Sequence, residues 1–396
     1  MSDTDMHSPK DNKITPPSWP LLTESLPGTG GIIKRIPEDF VVEEVPLYTP
    51  SGTGTHVYIW IEKTGITTSE AVAMLARVLG RKPRDIGYAG QKDRHAVTRQ
   101  WLSVEHVTPE AVQAATRPGL QILTTSCHGN KLRLGHLAGN RFAIRIRKLN
   151  LDMTEACTRA QAILDSLLRR GVPNYFGTQR FGLRGDNHRL GQAIMQNHRE
   201  RFIDLFLGHP LDTESPAISR ARHLYENGAY EEAHTAWPTD CRDERRILCE
   251  LQRPLSNPRK AFRVVDKRRK QFFISAYQSY LFNQVVALRL PHIDGLLAGD
   301  MAMKHANGAC FPVEDVVLEQ PRCRRFEISP TGPLMGPRMN ALSGPAAAIE
   351  NSILDPVRPL LEQNTAVARD LGRGGRRALR FLPRDTQVET GQDEHG

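Results

Sequence analysis

The sequence predicts an α+β protein in which a strand-rich first part precedes a largely helical second part. Between residues 31 and 150, short runs of bulky residues alternate with polar ones, a spacing typical of strands. From Asp186 to about Leu288 the pattern is mostly helical. A chain of 396 residues can bury a large core, and its length favours two domains.

The strand-rich part is expected to contain at least four strands. Gly31–Val45 predicts a strand, a Pro-Glu-Asp turn and a second strand that starts at Phe40. His56–Ile61 alternates bulky residues and predicts the next strand. In residues 139–147 the apolar side chains share one face and arginines the other, which predicts a half-buried strand.

Helix starts are marked by capping residues. Thr67 and Glu70 form a capping box ahead of an apolar helical face, and Thr108 with Pro109 has the arrangement of an N-cap followed by N1. Residues 154–170 carry apolar side chains at helical spacing and predict a longer helix.

The composition is basic, with 53 Lys and Arg against 44 Asp and Glu and a net charge of +9. Such a balance fits a polyanionic partner. Arginine-rich runs such as 267–270 and 322–325 suit bidentate phosphate contacts. For each run taken alone, a solvated helix face is the favoured interpretation.

Six scattered cysteines include no Cys-x-x-Cys pair, which argues against a zinc site or a disulfide framework. The fourteen histidines include no His-Glu-x-x-His. No apolar run is long enough to span a membrane, and the N-terminus lacks the apolar core of a signal peptide. We therefore expect a cytoplasmic protein without a metal or a membrane partner.

The most suggestive stretch for chemistry is the turn around Asp93. Its carboxylate lies between Lys92 and Arg94 in sequence, and His95 follows. Nearby cations keep a carboxylate ionised at neutral pH, which suits a nucleophile or a base. A solvated Lys-Asp-Arg turn would give the same pattern, and the spacing alone does not decide between the two.

Three sequence motifs resemble the signatures of the TruD family of tRNA pseudouridine synthases. Gly90–Gln100 matches the pattern Gly-x-Lys-Asp-x-x-Ala-x-Thr-x-Gln without a mismatch. Residues 34–44 match Lys-x-x-Pro-Glu-Asp-Phe-x-Val-x-Glu, and residues 171–182 match the family's third signature. The resemblance covers roughly residues 31 to 383 and implies that Asp93 is the catalytic aspartate.

The same resemblance assigns substrate-binding roles. It places Phe40 at the RNA substrate, although an aromatic on a strand is also a common core residue. It implies that Asn140 contacts the substrate and that Phe142 stacks on the target base. The cation that keeps Asp93 charged is expected to be Lys34 or Lys92.

The resemblance also implies a fold and a domain order. The family has an α+β catalytic domain with a central antiparallel sheet, interrupted by a largely helical insertion domain. The expected segments are a disordered or loosely attached tail (1–25), the catalytic domain (26–170 and 356–383), the insertion domain (171–355) and a polar tail (384–396).

By resemblance, the protein isomerises a uridine of tRNA, usually uridine-13 in the D arm, as a monomer without a cofactor. An aspartate either attacks the ribose at carbon 1′ or removes the proton at carbon 2′, and the sequence leaves both routes open. Two alternatives remain: a non-catalytic RNA-binding protein on the same fold, and an unrelated hydrolase that uses Asp93 and His95.

The C-terminus departs from the family pattern. Leu382 and Pro383 are normally followed by an aromatic residue of the substrate pocket, but here Gln387 occupies that register. The composition of this tail is typical of a disordered end.

Overall fold

A computed structural model describes residues 15–363 and 371–394, with side chains omitted for 361–363. The described chain divides into two compact units. The sheet unit comprises residues 27–161 and 388–394, and the helical unit comprises residues 15–26, 162–363 and 371–387. Helix α3 (Met153–Arg170) contains the division between them.

The sheet unit is built on six strands in the order β5-β2-β4-β1-β6, with the short β3 paired to β4. Their bounds are Phe40–Pro46 (β1), His56–Thr64 (β2), Gly87–Tyr88 (β3), Val97–Glu105 (β4), Leu120–His128 (β5) and Leu137–Ile144 (β6). These elements confirm the predicted strands at Phe40, at His56–Ile61 and, up to Ile144, at 139–147. The strand predicted before the Pro-Glu-Asp turn is absent, and Ile32 there forms only an isolated bridge with Arg147.

Two helices, α1 (Thr68–Val78) and α2 (Pro109–Gln113), pack with one face of this sheet. Buried Val and Ile from β2 meet Leu75 of α1 and Val112 of α2 in a single apolar cluster. The predicted capping box of α1 is present: Thr67 accepts a hydrogen bond from the Glu70 amide, and Glu70 accepts one from Thr67. Thr108 caps α2 by accepting a hydrogen bond from the Ala111 amide.

The α+β class is confirmed, and one strand pairing departs from a wholly antiparallel sheet. Strands β1 and β4 run parallel, with Val42 opposite Thr98, whereas the other pairings are antiparallel. A parallel pair needs a long crossover, and β2, α1 and β3 lie between these two strands.

The helical unit surrounds the long helix α10 (Lys267–Arg289), whose buried face includes Phe273, Tyr277 and Leu281. The other helices are α4 (Asn187–Met195), α5 (Arg199–Leu207), α6 (Pro216–Glu226), α7 (Tyr230–Ala236), α8 (Arg242–Leu251), α9 (Pro258–Arg263), α11 (Val316–Arg324), α12 (Gly344–Leu354) and α13 (Arg358–Gln363). This confirms the mostly helical pattern from Asp186 to Leu288.

Short strands complete the helical unit. They form one sheet in the order β11-β10-β8-β9 and a separate pair β12-β7. Their bounds are Val172–Pro173 (β7), Met301–Lys304 (β8), Cys310–Pro312 (β9), Ile328–Leu334 (β10), Gly375–Ala378 (β11) and Arg380–Phe381 (β12). The predicted returning strand at 376–383 is thus two short strands.

The described part of the N-terminal segment is held by an aromatic contact. The Trp19 ring stacks on Tyr175 with centroids 5.8 Å apart, and Tyr175 donates a hydrogen bond to the Pro20 carbonyl. Residues 1–14 of the predicted tail lie outside the described residues. The functional boundaries between catalytic and insertion domains stay a prediction. Across the described residues, no helix is long and apolar enough to cross a membrane.

Candidate active site

The site lies where β1 and β6 pair at the edge of the sheet. Their antiparallel register sets Val42 opposite Phe142 and Glu44 opposite Asn140. Because partners in register share a face, Phe40, Val42 and Glu44 lie on the same side as Asn140 and Phe142. The parallel register of β1 with β4 adds Thr98 to this face.

The loop that carries Asp93 is tied to the start of α1 and to β4. The Lys92 amide donates to the Thr68 hydroxyl, which in turn donates to the Gln100 side chain. The Gln100 amide group donates to the Gly90 carbonyl at 3.1 Å. Both side chains are buried, so this segment has a fixed path into the site.

Lys34 is the cation that meets Asp93. Its Nζ lies 3.3 Å from the Asp93 carboxylate and 3.8 Å from the centroid of the Phe40 ring. Both partners of the ion pair remain about one third exposed, with 31% of the Lys34 and 36% of the Asp93 side chain accessible. The carboxylate is therefore charge-paired and still reachable from solvent.

The Lys34 backbone has an unusual conformation for a side-chain-bearing residue. Its φ is +58°, in the left-handed region, and its carbonyl lies 2.8 Å from Nε2 of His95. Strain of this kind persists where surrounding contacts over-determine the backbone, and it is concentrated at functional sites. Here the His95 contact holds the Lys34 backbone against the Asp93 loop.

The side chain of Lys92 has different partners from that of its sequence neighbour Asp93. Its ammonium pairs with the Glu44 carboxylate at 3.0 Å and donates to the Asn140 side chain at 2.6 Å. Burial raises the pKa of Glu44, while the charge of Lys92 opposes that shift. Lys92 therefore bridges β1 and β6 and orients the Asn140 amide.

Lys63 of β2 is a buried cation beneath the Asp93 loop, and its residue is 0% exposed. Its ammonium donates to the carbonyls of Ile66 and Asp93, each at 2.7 Å. Burial lowers the pKa of Lys63 to about 8, while the charges of Asp93 and Glu70 act in the opposite direction. Lys63 thus fixes the backbone from which the Asp93 side chain projects.

Phe142 is an exposed aromatic beside a buried one. Its ring centroid lies 5.9 Å from that of Phe40, and 54% of the residue is accessible, whereas Phe40 is 9% accessible. Ile144 and Ile146 are also exposed, so the predicted half-buried strand does not bury its apolar face. An exposed ring fixed against a buried one offers a flat apolar surface for a base.

The six residues predicted from sequence all lie in the sheet unit, in two groups of side-chain contacts that the Lys92–Asp93 peptide joins. One group is Asp93, Lys34, Phe40 and Phe142, and the other is Lys92 with Asn140. Sequence reasoning matched Glu44 to the first family motif without giving it a role, and it did not single out Lys63. Both interrupt an apolar alternation: Glu44 follows Phe40 and Val42, and Lys63 follows Ile59 and Ile61. A charged residue on a strand's buried face is costly unless paired, and that signal identifies both.

Two observations concern other chemistries, such as a hydrolase that uses Asp93 and His95. The Nε2 atom of His95 is hydrogen-bonded to the Lys34 carbonyl at 2.8 Å. Among the described residues, no group of three or more His, Cys, Asp or Glu side chains could hold a metal ion.

Comparison with known proteins identifies the family. The model of the family tRNA pseudouridine synthase D (TruD) matches residues 19–395. The chain is 48% identical over 334 residues to tRNA pseudouridine synthase D of Geobacter sulfurreducens, covering 84% of this chain and 81% of that protein. It is 45% identical to that of Geotalea daltonii over 336 residues, or 85% and 84% of the two chains.

A solved structure agrees with the sequence comparison. A Methanosarcina mazei protein assigned as tRNA pseudouridine synthase D superposes with a TM-score of 0.79 at 25% identity. The match covers 95% of this chain and 90% of that one. The chain therefore belongs to the tRNA pseudouridine synthase D (TruD) family of isomerases.

Proposed function

We propose that this tRNA pseudouridine synthase converts uridine-13 in the D arm of tRNA to pseudouridine, with the Asp93 carboxylate as the reacting group. The supporting observation is a continuous set of contacts: Asp93 meets the Lys34 ammonium, which lies over Phe40, which packs against the exposed ring of Phe142. The position of the target uridine rests on the family resemblance alone.

The reaction exchanges one bond for another within the same nucleotide. The bond from ribose carbon 1′ to base nitrogen 1 breaks, the base turns, and carbon 5 bonds to carbon 1′. The proton on carbon 5 leaves, and nitrogen 1 gains one. Asp93 acts either as a nucleophile at carbon 1′ or as a base at carbon 2′, and either role needs its ionised form.

The surrounding side chains have distinct roles in this proposal. Lys34 pairs with the Asp93 carboxylate at 3.3 Å and holds it in position. Phe142 stacks on the uracil once it leaves its neighbours. Asn140, oriented by Lys92, contacts the substrate, and Phe40 supports both Lys34 and Phe142.

The test is pseudouridine mapping on tRNA incubated with wild-type protein and with Asp93→Asn. Asparagine preserves the shape of the side chain and removes its charge. We expect turnover to fall by at least about a hundredfold with tRNA affinity nearly unchanged. Asp212→Asn, at an exposed aspartate, is the control and should retain full activity.

The possible results separate the candidate functions. Activity of Asp93→Asn within tenfold of wild type would exclude Asp93 as the reacting group. The lost stabilisation of the transition state would then be about 1.4 kcal/mol or less. A wild-type protein that binds tRNA without turnover would instead be a non-catalytic RNA-binding protein. Pseudouridine only at another position would leave the family assignment intact and overturn the choice of uridine-13.

A further inference from the structure

The C-terminal segment 388–394 contacts the support of the candidate active site. Its Asp393 carboxylate accepts hydrogen bonds from both terminal nitrogens of Arg147, each at 2.6 Å. Arg145 adds a third contact at 3.2 Å. Such a paired Arg–carboxylate contact has a defined orientation, and the Arg147 side chain is only 4% exposed.

Arg147 also binds a second carboxylate, that of Asp39. Its Nε donates to Asp39 at 2.6 Å, and Asp39 is fully buried. The other oxygen of Asp39 accepts from the amides of Arg35 and Ile36. Burial acts to raise the pKa of Asp39, but the bonds from Arg147 and from these amides lower it.

The segment between Ile32 and Asp39 is therefore closed by Arg147 at both ends. The Arg147 backbone exchanges two hydrogen bonds with Ile32, at 2.8 and 2.9 Å. Its side chain grips Asp39 at the other end. Lys34 lies inside this closed segment in its left-handed conformation, and Phe40 follows the last residue of the segment, Asp39.

We propose that Asp393 is a positioning residue for catalysis: by orienting Arg147, it fixes the 32–39 segment and so places Lys34 against Asp93. The proposal rests on the proposed roles of Asp93 and Lys34. It gives a function to a tail whose sequence lacks the aromatic of the family pattern, and this function is electrostatic rather than stacking.

Loss of the Asp393 charge leaves a buried guanidinium with one carboxylate fewer. Arg147 can then shift toward Asp39 or toward solvent, which loosens the grip on the Arg35 and Ile36 amides. Small displacements of a reacting group are costly, and a misplacement near 1 Å can reduce turnover about a hundredfold. Lys34 need not leave the site for the effect to appear.

The kinetic test compares Asp393→Asn with Glu389→Gln. Glu389 is an exposed carboxylate on the same segment, so its substitution makes the same charge change without touching Arg147. We expect kcat for pseudouridine formation to fall about tenfold to a hundredfold in Asp393→Asn, with KM within about twofold. Asp393→Glu should recover part of the loss, and Glu389→Gln should match wild type.

A double-mutant cycle with Lys34→Gln distinguishes positioning from a general structural defect. If Asp393 acts through Lys34, Asp393→Asn should cost little further kcat once Lys34 is already replaced. An equal fold-loss in both backgrounds would overturn the proposal, as would wild-type kcat in Asp393→Asn. A truncation ending at residue 392 provides a second variant if the asparagine protein folds poorly.

Hydrogen exchange gives a readout that needs no activity. The Arg35 and Ile36 amides should exchange faster in Asp393→Asn than in wild type or Glu389→Gln. Unchanged exchange at both amides would contradict the proposal even if kcat fell. If the wild-type protein makes no pseudouridine, the proposed function fails, and this exchange measurement still decides the structural claim about Asp393.

Discussion

At the scale of single residues, sequence neighbours point to different partners in the site. Lys92 adjoins Asp93 in the chain but pairs with Glu44, whereas Lys34, 59 positions away, meets the Asp93 carboxylate. A pattern of adjacent charges cannot reveal this, because side-chain direction depends on strand pairing that brings distant segments together. The sequence predicts both lysines as candidates and leaves the choice to the fold.

The exposed ring of Phe142 yields a test of stacking. We expect Phe142→Ala to weaken tRNA binding by about 1–3 kcal/mol, the usual contribution of a base stacked on an aromatic. The free energy of unfolding should change by less than about 0.5 kcal/mol, since the ring is already largely exposed. Both are measured on the purified variant by tRNA titration and urea unfolding.

Ile144→Ala is the matched control for that experiment. Ile144 lies two residues further along β6 on the same face and is also exposed, but it is not aromatic. Equal losses of tRNA affinity in the two variants would mean that the apolar face as a whole, not a stacking ring, binds the substrate.

Lys63 yields a test of the loop beneath Asp93. Lys63→Met fills similar volume but removes both bonds to the Ile66 and Asp93 carbonyls, so unfolding free energy should fall by about 1–3 kcal/mol. Turnover should fall as well, because the Asp93 backbone loses its support. Lys131→Met, at a partly exposed lysine that donates to the Arg84 carbonyl, should change neither quantity appreciably.

At the scale of helices and strands, local signals predict existence and ends better than arrangement. The Thr67 capping box and the alternation of β2 are complete within a few residues, and both are confirmed. The parallel pairing of β1 with β4 is not encoded locally, since it depends on what the intervening chain can pack against. The burial of Arg147 is likewise not predictable from local sequence, because its two carboxylate partners, Asp39 and Asp393, are distant from it in the chain.

The packing of α4 against α10 yields a pH-dependent prediction. The His188 ring of α4 stacks on Tyr280 of α10 at 4.3 Å, and burial, assisted by the charge of Arg189, lowers the pKa of His188 to about 4. Between pH 6.5, the ordinary pKa of histidine, and about pH 4, the His188 ring binds a proton more readily in the unfolded chain than in the folded one. Stability is therefore retained above pH 6.5 and lost as the pH falls toward 4.

We expect this loss to reach about 3 kcal/mol at pH 4, from 1.36 kcal/mol per pKa unit. It is measured by hydrogen exchange of α4 and α10 amides at pH 7 and pH 4 in wild type and in His188→Gln. The glutamine variant should show less acid destabilisation, and His223→Gln, at an exposed histidine, should behave as wild type. Equal acid sensitivity in all three proteins would assign the loss to other groups.

At the scale of the whole molecule, the net charge of +9 is the property that matters for a polyanionic substrate. In the helical unit, an open cleft of about 720 Å³ is lined by the arginines of α8 together with His234 and Thr239. Arg242 and Arg246 are exposed there, and Arg246 lies 3.9 Å from its partner Asp243. Guanidinium groups in such a cleft suit the phosphates of RNA.

Affinity for tRNA should fall steeply as salt rises, because bound phosphates release their counterions. Replacing Arg242 and Arg246 together by glutamine should reduce the slope of log affinity against log salt by about one to two. Filter binding at several salt concentrations measures it. The control is Arg358→Gln, at an arginine paired with Asp355. If this variant reduced the salt slope as much per charge removed, the slope would report net charge alone and not the cleft.

The contact between Arg147 and Asp393 joins residues 246 positions apart, and this separation has a consequence for protein synthesis. Chains grow at about 5–20 residues per second, so about ten to fifty seconds pass between the appearance of the two side chains. During that interval the residues of strands β1 to β6 have all been synthesised, but the Arg147 guanidinium lacks one of its two carboxylate partners. Translation must therefore reach Asp393 before the proposed fixing of the Lys34 segment is complete.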